Sequence, residues 1–221
     1  IQKLDAQAMH DLCPSPDYKG GVIDMDAAHL HPLRLAIGLA KAAKAAGVRI
    51  YEGTRAEAIG QGHPCTVTTP QGRVTADHII VAANGYLGDL VPKVASRVMP
   101  INNFIAATEP LSDAKARNLI RDNHAVADSK FVINYFRLSE DNRMLFGGGE
   151  SYGYKFPKDI AKTVRKPMLQ IFPQLKDTKI DYAWGGTLGI TMNRMPHFAR
   201  VSDRVLSISG YSGHGVALAT L

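Results

Sequence analysis

The fold is decided near the end of the chain by Gly210-Tyr211-Ser212-Gly213-His214-Gly215-Val216, which follows residues 205–209, Val-Leu-Ser-Ile-Ser. Residues 205–209 predict a buried β-strand, and the apolar residues 216–221 predict a helix. The glycines between them would let a ligand approach the backbone closely, and the helix start would offer unpaired N–H groups. Such a corner favours an anion, or a carbonyl that gains negative charge. Its spacing differs from the G-x-G-x-x-G dinucleotide motif, so it predicts no pyrophosphate site, and a tight turn without a ligand is the alternative.

The first hundred residues predict alternating helices and strands. Pro32 begins a helical pattern where proline is tolerated, and Gly47 stands where a left-handed residue ends a helix. The apolar residues 78–83 predict a strand buried on both faces, which leaves the sheet sharply at Asn84-Gly85. Further short strands are expected at 20–24, 48–51, 66–69 and 73–76. This order of elements is typical of an α/β layer.

The middle of the chain, residues 98–150, predicts a different architecture. Its helical periodicity is limited to about residues 112–121. Strands are predicted at 101–108, 131–138 and 143–148, the last two joined by a hairpin loop at 139–142. We therefore expect an antiparallel sheet with one covered face, which would form a second domain. Beyond it, residues 160–171 have helical spacing that Pro167 would interrupt.

The overall composition is that of a globular protein and excludes several classes. The net charge is +6, but the one basic cluster, at 155–166, lies beside an apolar helical face, so we expect a solvated surface and no nucleic-acid binding. No apolar run is long enough for an integral membrane segment. Cys13 and Cys65 match no metal spacing or disulfide framework, which favours a cytoplasmic setting. The chain begins without Met or a signal-peptide pattern and ends in an apolar segment, so we expect a piece of a longer protein.

The glycine corner at 210–216, with Trp184-Gly185-Gly186 upstream and Met195-Pro196 between them, resembles the C-terminal signature of the D-amino-acid-oxidase-like FAD oxidoreductases. Other segments follow the order of that family along nearly the whole chain, at 20–24, 31–35, 45–48, 76–85 and 143–149. Within the superfamily, the combined motifs look most similar to those of the group that oxidises γ-glutamylputrescine.

The resemblance implies a mixed α/β fold, made of a truncated, Rossmann-like FAD-binding domain and an inserted antiparallel-sheet substrate domain. Residues 1–97 would be the remainder of the FAD-binding domain, with some substrate-domain chain at the start. Residues 98–183 would form the substrate domain, and 184–221 would return to the FAD-binding domain. The family's N-terminal G-x-G-x-x-G unit, which holds the pyrophosphate, is absent from this sequence. This chain alone is therefore expected to bind little FAD and to be inactive.

The resemblance also implies site residues for a non-covalent FAD, because neither cysteine is placed for attachment to the flavin. Backbone N–H groups of the glycine corner would contact the pyrimidine edge of the flavin, the exit of strand 78–83 would lie near the nucleotide, and the backbone at Ala56 would face the adenine. The implied cofactor-binding residues are Ala56, Ala82, Ala83, Asn84, Gly85, Gly210, Ser212, Gly213, His214, Gly215 and Val216.

Candidates for the substrate cavity are less defined. They are Tyr135, Arg137, Trp184 and Arg194. Packing is the alternative for Tyr135 and core burial for Trp184, and a structural role is favoured for His214. We assign no catalytic residue and no metal site.

The family likeness implies oxidation of a C–N bond of a small-molecule amine such as γ-glutamylputrescine. The product would be an imine and then an aldehyde, as in putrescine catabolism, with oxygen or a quinone-linked chain as electron acceptor. One alternative is a D-amino-acid or glycine oxidase or dehydrogenase, which requires an arginine for the substrate carboxylate. A second alternative is a non-catalytic binding fragment without flavin. An NAD-dependent dehydrogenase is disfavoured because the dinucleotide motif is missing.

Overall fold

The structure is a computed structural model that describes residues 1–220, which divide into two compact units. Unit 1 consists of Ile1–His29 and Asn102–Gly186. Unit 2 consists of Leu30–Ile101 and Thr187–Leu221, of which Leu221 lies outside the described residues. Within the described range, no helix has both the length and the apolar character needed to cross a bilayer.

The secondary structure is mixed, which confirms the expected α/β class and the presence of an antiparallel sheet. In chain order the elements are β1 (Gln2–Leu4), α1 (Ala6–Leu12), β2 (Gly21–Ile23), α2 (Pro32–Ala45), β3 (Ala58–Gly60), β4 (Cys65–Thr69), β5 (Gly72–Ala76), β6 (Ile79–Val81), α3 (Pro92–Ala95), β7 (Met99–Thr108), α4 (Asp113–Leu119), β8 (Val126–Ala127), β9 (Tyr135–Leu138), β10 (Met144–Tyr152), α5 (Ile160–Ile171), β11 (Ile180–Ile190), β12 (His197–Ser202), β13 (Val205–Ser209) and α6 (Gly215–Leu218). Single 3₁₀ turns occur at Asn84–Tyr86 and Pro173–Leu175.

Unit 1 is built on a five-stranded sheet with the order β11-β7-β10-β9-β8. Strands β9 and β10 form the predicted hairpin and pair antiparallel, with Gly147 opposite Tyr135. The side chains that alternate with these residues enter an aromatic core, in which Phe136 stacks on Phe146 and meets Phe172 edge-on with ring centroids 4.9 Å apart. Because all three rings are almost fully buried, this core holds the sheet face rigid.

Helix α5 covers the core of unit 1 and runs unbroken through Pro167, so the predicted interruption is wrong. Its first turn is capped by the Asp159 carboxylate, which accepts a hydrogen bond from the backbone N–H of Lys162. Val164, Met168 and Ile171 are fully buried along one face. This burial holds the helix together across the hydrogen bond that proline cannot donate.

Unit 2 contains a three-stranded sheet with the order β12-β13-β6, in which β13 and β6 are parallel. One face packs on a valine-rich core that includes Val81, Val94 and Val205. A separate antiparallel meander, β3-β4-β5, contains the two strands predicted at 66–69 and 73–76. Gly47 follows α2 with a φ of +89°, as the helix-ending pattern predicted.

The other face of the β12-β13-β6 sheet is open, so the prediction that residues 78–83 are buried on both faces is wrong. The strand is limited to Ile79–Val81, and Ile80 is 64% exposed. Its neighbour on the same face, Leu206, is also exposed, and so is Phe198 on β12. The exposure of these three side chains shows that apolar strand composition alone overestimates burial.

Three further expectations are wrong in whole or in part: the strand at 48–51, the start of the strand at 131–138 and the end of the terminal helix. Residues 48–51 form no strand, because they pair with no other strand among the described residues, and Val48, Ile50 and Tyr51 are exposed. Helix α2 is present, but it buries no side chain. The strand predicted at 131–138 begins only at Tyr135, and the terminal helix ends at Leu218, with the last predicted residue outside the described range. The sequence did not predict the long strand β11, because its glycines weaken the strand pattern.

Candidate functional site

The glycine corner, residues 210–216, forms a sharp strand-to-helix connection in unit 2. Gly210, Ser212 and Gly213 have φ values of +71°, +54° and +92°. Left-handed backbone of this kind favours glycine, which explains the residue types. A Cβ built on Gly210 would lie 2.6 Å from Cγ2 of Thr191, so the corner is also packed tightly at its start.

Hydrogen bonds from neighbouring strand ends hold the corner. The Asn84 side-chain Oδ1 accepts from the backbone N–H of Gly210 at 3.0 Å. The backbone N–H of Ser212 donates to the Gly189 carbonyl at 2.9 Å, and the Ser212 hydroxyl accepts from the backbone N–H of Thr191 at 3.2 Å. The side-chain oxygens of Asn84 and Ser212 therefore accept hydrogen bonds from the protein backbone. Their role is to hold the backbone of the corner in place.

The exit of β6 is packed closely against the end of β11. A Cβ on Gly85 would lie 2.5 Å from the carbonyl oxygen of Thr187, which excludes a side chain at Gly85. The Tyr86 hydroxyl accepts a hydrogen bond from the Thr187 backbone N–H at 2.9 Å. Asn84 thus contacts the glycine corner directly, whereas Gly85 packs on the backbone of β11.

We expected the backbone N–H groups from Ser212 to Val216 to contact a ligand, but two of them bond within the protein. Ser212 donates to Gly189, and the backbone N–H of His214 donates to the Tyr211 carbonyl at 3.0 Å, so both are satisfied internally. Within residues 1–220, no acceptor is found for the N–H groups of Gly213, Gly215 and Val216. Helix α6 has only four residues, so these individual donors matter more than a helix dipole.

The free donors fit the acceptor edge of a planar heterocycle such as the flavin pyrimidine ring. No atom lies within 4 Å of a Cβ built on Gly213, so a ring can approach this backbone without meeting a side chain. Neutral N–H groups fixed in position also suit the negative charge that a reduced flavin carries at that edge.

The remaining cofactor candidates are Ala56, Ala82 and Ala83, which lie in the same unit outside the corner, and His214 within it. Ala56 is half-buried in an irregular stretch before β3. Ala82 is exposed and Ala83 half-buried, immediately after β6. The His214 side chain is exposed and caps no helix hydrogen bond, which supports neither a catalytic role nor a helix-capping role.

In unit 1, Tyr135 and Arg137 share the face of β9 opposite the aromatic core. The Tyr135 ring lies across Gly147, and its hydroxyl donates to the Asn103 side-chain oxygen. Burial raises the pKa of Tyr135 to about 12. The Asn103 amide in turn donates to the Gly149 carbonyl at 3.1 Å.

Asn103 was not among the predicted site residues, although the glycine run at 147–149 was a usable signal. Glycine within a strand marks a place where another group approaches the backbone closely, and here that group is the Tyr135 ring. The Tyr135–Asn103 pair forms a rigid polar wall on this sheet face.

Arg137 is a half-buried cation beside that wall. Its Nη1 donates to the Leu138 carbonyl at 3.2 Å, and burial lowers the pKa of the guanidinium. Within the described part of the chain, no carboxylate forms an ion pair with it. A partly desolvated guanidinium of this kind is suited to bind a carboxylate from outside the protein.

The last two substrate candidates are exposed. Trp184 lies on β11 in unit 1 and is 44% exposed, so the core-burial alternative is wrong. Arg194 lies in unit 2, in a turn after β11, with a φ of +63°. No group of three His, Cys, Asp or Glu side chains that could hold a metal ion occurs in residues 1–220.

Comparison with known proteins gives a consistent result. The family model described as DAO, FAD dependent oxidoreductase, matches residues 1–221. The chain is 44% identical over 217 residues to gamma-glutamylputrescine oxidoreductase of Escherichia coli (strain K12), covering 98% of this chain and 51% of the relative. It is 45% identical over 206 residues to a probable oxidoreductase, OrdL, of Rhizobium meliloti (strain 1021), covering 93% of this chain and 48% of the relative. The chain thus spans about half the length of the curated relatives it matches.

Among solved structures, the fold is similar to glycine oxidase from Geobacillus kaustophilus. The TM-score is 0.82 at 19% identity, over 99% of this chain and 59% of that one. At this identity the similarity concerns the fold.

Proposed function

The chain belongs to the DAO family of FAD-dependent oxidoreductases, and from that membership we propose that it forms part of an amine oxidoreductase. In this proposal unit 2 is the remainder of a Rossmann-like FAD-binding domain, and unit 1 is the inserted substrate domain. The sequence divided the chain at 97/98 and 183/184, whereas the compact units divide at 29/30, 101/102 and 186/187. We place the two domains at the boundaries of the compact units.

One observation carries the proposal, namely the three free N–H donors of the glycine corner. Gly213, Gly215 and Val216 would hold the pyrimidine edge of the flavin, and Ser212 would keep their backbone in place. When bound, FAD supplies the redox chemistry by accepting a hydride equivalent from the carbon next to the substrate nitrogen. The N–H groups would stabilise the negative charge that develops at the pyrimidine edge in that transfer.

The two cysteines support a non-covalent cofactor. Cys13 and Cys65 are both buried. Burial raises the pKa of Cys13 to about 12, so it stays a thiol at neutral pH and is a weak nucleophile. Oxygen or a quinone-linked carrier would reoxidise the flavin.

For the substrate, we propose a γ-glutamylputrescine-like amine, on the strength of the 44% identical relative. Arg137 supports this choice because the glutamyl part of such a molecule carries a carboxylate, which the guanidinium would bind. The Tyr135 hydroxyl is already committed to Asn103, so Tyr135 would serve as a wall of the cavity. The resulting imine would hydrolyse to an aldehyde.

Arg137 also supports a second candidate, a D-amino-acid or glycine oxidase or dehydrogenase, since those substrates carry a carboxylate too. Anaerobic visible spectra of the FAD-loaded protein separate the candidates. Bleaching of the flavin band by γ-glutamylputrescine supports the first, and bleaching only by D-alanine or glycine supports the second. If a full-length protein that contains this chain shows no flavin band even after FAD is added, the proposal fails and a binding fragment without flavin remains. Putrescine lacks the carboxylate, so it tests the role of Arg137. We expect a higher KM for putrescine than for γ-glutamylputrescine.

A further inference from the structure

We infer that Asn84 is a positioning residue, which fixes the glycine corner in its ligand-binding conformation before any ligand is present. The inference rests on the proposed function only for the identity of the ligand as flavin. The arrangement of the corner itself follows from hydrogen bonds within unit 2.

The position of Asn84 follows from the strand topology. Strands β6 and β13 are parallel neighbours, with Val81 opposite Ser207, so both chains leave the sheet at the same edge. Asn84 follows β6 and Gly210 follows β13, and the Asn84 Oδ1 bridges the two exits by accepting the Gly210 N–H at 3.0 Å. The side chain therefore joins two segments that are 126 residues apart in the chain.

Asn84 is suited to this role by its backbone as well. Its φ of +46° places it in the left-handed region, which asparagine, aspartate and glycine tolerate better than other residues. A Cβ on Gly189 would lie 2.4 Å from the Asn84 Oδ1, so a glycine at 189 leaves room for the carboxamide. Ser212 holds the middle of the corner, and Asn84 holds its first residue.

Gly210 is buried, and the Asn84 oxygen is the acceptor that the described residues provide for its N–H. Removing that oxygen leaves a buried donor unsatisfied, and we expect roughly a tenfold increase in local opening of the corner. The looser backbone would present Gly213, Gly215 and Val216 in many orientations, which would weaken ligand binding by a similar factor.

Three variants separate the carboxamide from the backbone conformation. Asn84→Gly keeps the left-handed φ and removes the acceptor, whereas Asn84→Asp keeps both. Asn123→Gly is the matched control, because Asn123 also has positive φ, at +56°, and lies in unit 1. Hydrogen exchange measured by mass spectrometry, without FAD, follows peptides that cover 205–216.

We expect roughly tenfold faster exchange of the corner in Asn84→Gly and wild-type exchange in Asn84→Asp and Asn123→Gly. Unchanged exchange in Asn84→Gly, or equal acceleration in Asn84→Asp, would overturn the inference. If Asn84→Gly fails to fold, site-resolved exchange in the wild-type protein decides. Gly210 should then be protected at least tenfold relative to Gly213, and equal rates would refute the role of Asn84.

FAD titration of the same variants, made in a full-length protein that contains this chain, keeps the inference distinct from the proposed function. A corner that loosens in Asn84→Gly in a protein that binds no FAD supports the positioning role and counts against the flavin proposal. If the protein binds FAD but the corner does not loosen in Asn84→Gly, the flavin proposal is supported and the positioning role of Asn84 is refuted.

Discussion

A single methyl group added at Gly147 should destabilise unit 1 by roughly 0.5–4 kcal/mol, with a central value of about 2 kcal/mol. A Cβ at this position would lie 2.2 Å from two ring atoms of Tyr135, so the ring must move away. Forcing a packed side chain aside costs about 1–3 kcal/mol, and losing the hydrogen bond from Tyr135 to Asn103 adds about 0.5–1.5 kcal/mol. The smaller conformational entropy of alanine in the unfolded chain offsets about 0.4–1 kcal/mol.

Urea unfolding of Gly147→Ala, followed by tryptophan fluorescence, measures this cost. Trp184 is the one tryptophan of the chain and lies in the same unit, so its signal reports on the affected sheet. Tyr135→Ala and the double variant complete a cycle. Because the three atoms nearest the added methyl group all belong to the Tyr135 ring, the double variant should be more stable than the sum of the single changes predicts, by about 1–3 kcal/mol. Additivity within about 0.5 kcal/mol would refute the steric reasoning.

Three other predictions concern the core, the corner and the pH dependence. Phe172→Ala should cost about 3–5 kcal/mol in urea unfolding, because the ring is fully buried, and a loss under 1 kcal/mol would contradict that packing. Gly213→Ala should cost only the left-handed strain of about 1–2 kcal/mol, whereas Gly210→Ala should cost more because its methyl group also meets a threonine; equal thermal shifts would contradict this. Hydrogen bonds from Ser139 and then Arg143 lower the pKa of Asp141, so its stabilisation is present above the unfolded pKa of about 4 and is lost as pH falls further through the folded pKa. The Tm of Asp141→Asn should therefore fall less than wild type between about pH 5 and pH 2, and parallel curves would argue against the effect.

Local chemistry made part of this fold predictable. The left-handed residue after α2, the β9–β10 hairpin and the turn from β13 into a glycine corner all depend on residues close in sequence. Gly47 and Gly210 both have positive φ, which glycine adopts readily, so the sequence pattern was enough to predict a turn at each.

Other features depended on partners far along the chain. The apolar residues 48–51 lack a strand partner, and apolar composition cannot supply one. Pro167 stays within α5 because tertiary burial of the surrounding face outweighs one missing hydrogen bond. The Ser212 N–H bonds to the carbonyl of Gly189, which is distant in sequence. The sequence therefore indicated which residues form the corner but not which of its N–H groups remain free.

The open face of the β12-β13-β6 sheet has a practical consequence for handling the purified protein. Ile80, Leu206 and Phe198 present adjoining apolar side chains to solvent, and such surfaces promote self-association. Protein concentration then becomes an experimental variable, and light scattering across a dilution series belongs beside every unfolding curve and flavin titration. Kosmotropic salts such as sulfate strengthen apolar association, so buffers without them are the better choice for this protein.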